Sequence, residues 1–150
     1  MWYWYQGQPT DYPGNLAGGY LNNGSSGYTP RFSEEAVRQM LTSSAAALLD
    51  DFHIDGFRVD LTDAIHQNNT LNANGAPVPS ANLYGIKFLR ELARTAKTVN
   101  PSAFLIAEDH TGWSAMTASL DDGGIGFDAV WYADFYHHLI GDGDYGPAPK

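Results

Sequence analysis

Asp55-Gly56-Phe57-Arg58-Val59-Asp60 reads as a short buried strand that ends in an acid, with an arginine two residues upstream. Side chains two apart on a strand share a face, so Arg58 and Asp60 point one way while Phe57, Val59 and Leu61 point the other. A guanidinium beside a carboxylate favours the ionised acid, which suits a nucleophile. A second strand, Ala103-Phe104-Leu105-Ile106-Ala107-Glu108, ends in an acid after a helix-length gap. Two parallel strands, each delivering a carboxylate from its C-terminal end, are the geometry of an α/β active site.

Around this pair the chain alternates. Residues 1–31 set Trp2, Tyr3, Trp4, Tyr5, Tyr12, Tyr20 and Tyr28 among Gly, Asn, Pro and Ser without a sustained period, which predicts a loop. Disordered tails are poor in aromatics, so an ordered loop lining a site is expected. Ser33 is placed to cap a helix, with Glu34 and Glu35 in its first turn, where the helix dipole favours acids. Val37, Met40, Leu41, Leu48, Leu49 and Phe52 recur at helical spacing, and this helix runs to about Asp51-Phe52-His53 before the strand to Asp60. Gly56 suits a crowded position where another backbone comes close.

Leu61 to Pro79 is a long excursion after the first strand. Ser80 or Asn82 then caps a helix with Ile86, Leu89, Leu92, Ala93, Ala96 and Val99 on its buried face, and Asn100-Pro101 stops it. After Glu108 a short helix is expected from about Ser114 to Leu120. A turn at Asp121-Asp122-Gly123-Gly124, a strand over Phe127–Trp131, a helix from Tyr132 to Ile140 and a flexible end from Gly141 to Lys150 follow. Helices between strands, with long loops after the strands, predict an α/β fold of about three parallel strands.

The composition narrows the partners. A 150-residue chain is long enough for one core, and its 43% hydrophobic and 17% charged residues are ordinary for a globular protein. The net charge of −9 argues against nucleic acid, since phosphate binding needs basic surface. No apolar run reaches the length of a membrane span, and no basic amphipathic stretch suits a membrane surface. The N-terminus lacks the pattern of a signal peptide, which slightly favours the cytoplasm. With no cysteine, thiol chemistry is out. Aromatics at 13%, with 4 Trp and 9 Tyr, favour sugars or other flat ligands.

Gly56-Phe57-Arg58-Val59-Asp60 and Ile106-Ala107-Glu108, in this order and at this separation, resemble the fourth- and fifth-strand motifs of the family 13 glycoside hydrolases, the α-amylase family. The run Ile106-Ala107-Glu108-Asp109-His110-Thr111-Gly112-Trp113, with Gly123-Gly124-Ile125-Gly126-Phe127-Asp128 and Trp131, is most similar to the α-glucan branching enzymes. The maltooligosyltrehalose trehalohydrolases come next. The resemblance implies a partial (β/α)8 barrel spanning 1–150, with a loop region over 1–31, βα units over 32–140 and a flexible end over 141–150. A full barrel needs eight strands and about 250 residues. The family's third-strand motif would precede Met1 and its third carboxylate would follow Lys150. The chain alone is therefore expected to be inactive, and to self-associate through open barrel edges. Many members carry a Lys-His pair after the nucleophile; here Asp63 and Ala64 occupy those positions, and His66 is the nearest histidine.

The implied chemistry is retaining cleavage of an α-1,4-glucan or maltooligosaccharide. Asp60 is the nucleophile, and Glu108, in a drier setting, the acid/base. Arg58, His66, His110, Trp113 and Trp131 are the candidate substrate contacts. No cofactor is implied. Asp121-Asp122 reads as a solvated turn rather than a calcium site, and His137-His138 as a divergent pair rather than metal ligands. Two other readings are a non-catalytic glucan-binding module and an unrelated open α/β domain. Against the second, no Gly-rich phosphate loop follows any strand.

Overall fold

The computed structural model describes residues 20–22, 28–67 and 80–131. Residues 1–19 and 23–27 of the loop expected over 1–31, residues 68–79 of the excursion expected from Leu61 to Pro79, the helix expected from Tyr132 to Ile140 and the end from Gly141 lie outside the described residues.

A short antiparallel hairpin comes first, β1 (Tyr20–Asn22) on β2 (Tyr28–Pro30), paired Tyr20 to Pro30 and Asn22 to Tyr28. It falls within the span expected to be loop. Three-residue strands are too short to show a period of 2 among glycines, serines and asparagines. Helix α1 follows (Glu35–Asp50), then β3 (Gly56–Val59), α2 (Thr62–His66), α3 (Ala81–Val99), β4 (Phe104–Glu108) and β5 (Ala129–Trp131).

Strands β3, β4 and β5 form one parallel sheet in that order. Leu105 and Ala107 of β4 are fully buried and face α3, whose Phe88, Leu89, Leu92, Ala93 and Ala96 make the centre of the core. Phe57 and Val59 of β3 pack against the same core. Phe32, stacked on Phe88 with centroids 4.6 Å apart, and Ala45 and Leu49 of α1 extend it on one side. Met116, Ile125 and Phe127 extend it on the other. The opposite face of the sheet carries Arg58, Phe104, Ile106, Glu108 and Trp131, of which Phe104 and Trp131 are half exposed.

Several expected boundaries shift for local reasons. Ser33 does not cap α1. Glu34 holds the capping position with extended backbone, and no side chain bonds there. The carbonyls before α1 are instead taken by the buried guanidinium of Arg38, whose Nη1 donates to Phe32 O (2.6 Å) and Ser33 O (3.3 Å). Its Nε donates to Glu91 (2.9 Å), tying α1 to α3. Phe52 lies beyond the last turn of α1 and is 71% exposed, so it is not on the buried face. Ser80 precedes α3 in the left-handed region without a side-chain cap.

Between β4 and β5 the expected helix shrinks to a single 3-10 turn, Ser114–Met116. The Ser119 hydroxyl donates to Asp122 Oδ2 (2.7 Å) and accepts the Asp122 N–H (3.1 Å), a local closure that competes with helix. Arg90 of α3 secures the following turn by donating to the carbonyls of Leu120 (3.2 Å) and Gly124 (2.6 Å). Gly56 is required where it stands: a Cβ there would overlap the carbonyl of Phe104 on the neighbouring strand.

Candidate active site

The parallel register pairs Arg58 with Ile106 and Val59 with Ala107, which carries Asp60 alongside Glu108 at the C-terminal edge. Glu108 in turn pairs with Trp131. One row at the end of the sheet therefore holds both acids and an aromatic ring.

Arg58 joins them. Its Nη1 donates to Asp60 Oδ1 at 2.9 Å, and its Nη2 lies 3.1 Å from Glu108 Oε1. The guanidinium carbon sits 5.3 Å from the centroid of the Trp131 ring, a cation–π contact. The sequence assigns the arginine to Asp60; the structure has it serving both acids, because a guanidinium fork one layer below the edge reaches either strand. The acids differ in their exposure to water. The Asp60 side chain is 68% exposed and that of Glu108 17%.

After Asp60 the chain turns sharply. Leu61 takes φ 46°, a conformation uncommon for a leucine. The turn aims the Leu61 N–H at Glu108 Oε2, 2.9 Å away. Thr62 then opens α2, and its hydroxyl donates to the Glu108 carbonyl (2.7 Å) while sharing its proton with Asp109 Oδ2 (3.1 Å).

Asp109 is the residue that the sequence reading passed over. It lies on the other face of β4 from Glu108 and is 1% exposed, a depth at which an acid needs partners. Oδ1 accepts the Thr111 N–H (2.8 Å) and the Thr111 hydroxyl (2.6 Å). Oδ2 faces His66 Nε2 at 2.6 Å. An ionised carboxylate only accepts, so Nε2 carries the proton. Burial pushes the Asp109 carboxyl up. The hydrogen bonds from the Thr111 hydroxyl, His66 and the Thr111 N–H, with the charge of His66, outweigh it and hold the acid below its ordinary value. Two signals pointed here: Thr and His four apart at 62 and 66, sharing a helix face, and a threonine two residues after an aspartate, the mark of a side-chain turn.

The expected site residues thus fall into two groups. Arg58, Asp60, Glu108 and Trp131 meet at the sheet edge. His66 and Trp113 meet behind it, with ring centroids 4.5 Å apart. These two line a groove of about 570 Å³ with Gln67, Ile86, Thr111, Gly112 and Ser114. His110 is half-buried. Among the described residues no three His, Asp or Glu side chains converge as metal ligands would.

No family model matches the chain. Known relatives do. The 1,4-alpha-glucan branching enzyme GlgB of Thermobifida fusca is 37% identical over 114 residues, which is 73% of this chain and 15% of that enzyme. The enzyme of the same name from Geobacillus stearothermophilus is 39% identical over 104 residues, 69% of this chain and 16% of the relative. By sequence the chain belongs to the family 13 glycoside hydrolases. GlgB 2 of Xanthomonas euvesicatoria pv. vesicatoria, 33% identical over 124 residues, covers 79% of this family 13 chain and 17% of its own length. The chain spans about one sixth of the length of the relatives it matches.

Proposed function

We propose that this chain supplies part of the catalytic (β/α)8 barrel of a retaining enzyme acting on α-1,4-glucans, with Asp60 as nucleophile and Glu108 as acid/base. The observation that carries the reading is the single guanidinium of Arg58 bonded to both carboxylates at adjacent ends of parallel strands. Retaining chemistry wants its two carboxyl groups about 5–5.5 Å apart, a separation that one shared fork can span.

In the first step an Asp60 oxygen attacks the anomeric carbon as the glycosidic C–O bond breaks. Glu108 gives its proton to the departing oxygen. In the second, Glu108 takes a proton from water or a sugar hydroxyl, whose oxygen displaces Asp60. The name of the relatives, 1,4-alpha-glucan branching enzyme, favours a glucan hydroxyl as acceptor. Arg58 neutralises charge on whichever acid is ionised, and Trp131, half exposed beside it, offers a ring face to a sugar. His110 and Trp113 remain candidates for further sugar contacts. In the described sheet β3 and β5 are the edge strands, and open edges of this kind are the expected route of self-association.

The test is mass spectrometry after incubation with a fluorinated glucosyl inactivator that traps glycosyl-enzymes. One glucosyl adduct on Asp60 is expected in a longer protein carrying this stretch, and none on the chain alone. No adduct on this chain, but one on the same aspartate in a longer protein carrying it, would assign the chemistry to the stretch and make further strands necessary. No adduct in either overturns the reading and leaves a glucan-binding module.

A further inference from the structure

Asp109 is a buried acid that the chemistry above does not use, and His66 is a histidine turned away from the acids that do. Their bonds lead back to Glu108. His66 Nε2 and Thr62 Oγ1 converge on Asp109 Oδ2, and the same threonine hydroxyl donates to the Glu108 carbonyl. The residue before Thr62 is Leu61, whose N–H holds Glu108 Oε2. Leu61 can aim that N–H only while its backbone stays in the left-handed region, and nothing in leucine favours this conformation. Some other interaction must hold the turn.

We propose that Thr62, His66 and Asp109 form a positioning network that keeps Leu61 in its turn and so sets the orientation of the Glu108 carboxylate. His66 then acts through Asp109 and Thr62, not on substrate. Its side chain is 7% exposed and its ring packs on Trp113, which leaves little of it for a sugar hydroxyl. Asp109, bonded also to Thr111, anchors the start of α2 to the end of β4. The inference rests on the reading of Glu108 as the acid/base, but its geometry can be tested separately.

The Leu61 amide proton reports on the carboxyl to which it donates. In 1H–15N spectra recorded from neutral to acid pH it should move as Glu108 takes up a proton. Glu108→Gln should abolish that movement, which separates Glu108 from the neighbouring Asp60 and Asp109. Thr62→Val and His66→Leu remove the network's donors and should also abolish it, with the remaining spectrum folded. Thr62→Ser and His66→Gln keep a donor and should preserve it. Should His66→Leu fail to fold, the near-isosteric Thr62→Val decides. A Leu61 amide that still follows Glu108 in Thr62→Val overturns the network, as does one that never follows it in the unaltered chain. The trapping experiment reports independently. An adduct on Asp60 with a Leu61 amide indifferent to these variants defeats the network alone, and a responsive amide without an adduct defeats only the catalytic reading.

Discussion

Arg58 can bond two carboxylates because its guanidinium is a planar fork with several fixed donors. Lysine at this position keeps the charge but offers one compact ammonium, too small to hold Asp60 and Glu108 together. Arg58→Lys should therefore slow glucosyl trapping at Asp60 by roughly 10²-fold, the usual loss when one preorganised donor is removed. An unchanged trapping rate would mean that the bridge between the acids is incidental. The arginine and both acids were legible in the sequence, since each sits at a strand end in a motif of alternating character. Asp109 was not. Its turn with Thr111 is local and faint in the sequence, and its partners at 62 and 66 reach it only once β3 and β4 are paired.

Among the elements, those that bury a continuous face were readable. Helix α3 repeats its apolar residues every three or four positions, and Leu89, Ala93 and Ala96 are fully buried as that period requires, whereas Val99 in the last turn, expected on the same face, is exposed. Helix α2 escaped because Thr-Asp-Ala-Ile-His is little more than a turn and shows no period. Its place is set by packing. Gly85 of α3 lies so close to α2 that a Cβ would overlap the Ile65 carbonyl. Alanine at 85 is thus the wrong residue despite its better helix propensity. Gly85→Ala should cost about 1–3 kcal/mol through overpacking and lower the thermal midpoint by several degrees. A raised midpoint would show that the two helices do not approach this closely.

At the scale of the whole molecule the sheet is tied at both ends by ionised groups. At the C-terminal end stand Arg58 and its acids. At the N-terminal end Lys97 donates to the Ala103 carbonyl (2.6 Å) and to Asp128 (2.9 Å), and Asp128 also accepts the Leu105 N–H (2.8 Å). Burial pushes the Asp128 carboxyl up, but the Lys97 hydrogen bond, the Leu105 N–H and the lysine charge leave it below its ordinary value. Asp109 is depressed in the same sense. Acids depressed in the folded chain contribute stability that is fully present above the unfolded value near 3.9 and lost as pH falls through the lower folded values. Urea unfolding should thus show stability level from about pH 7 to 5 and falling steeply below about 4. Asp109→Asn should be less stable at neutral pH and respond less to acid. An identical acid response in that variant would count against the buried pair. Alternation of helix and strand made the parallel sheet legible, whereas the two-group layout of the site depends on the turn at Leu61, which no spacing encodes.

That turn bears on how the chain could diversify. Among the described residues, Glu108 is held from the β3 side by Arg58, Leu61 and Thr62, all of which precede residue 68. The residues from 68 to 79 enter only afterwards. Lengthening a connection adds little chain entropy, about 0.6 kcal/mol for each doubling. New sequence can therefore be inserted downstream of His66 while Glu108 keeps the anchorage it already has.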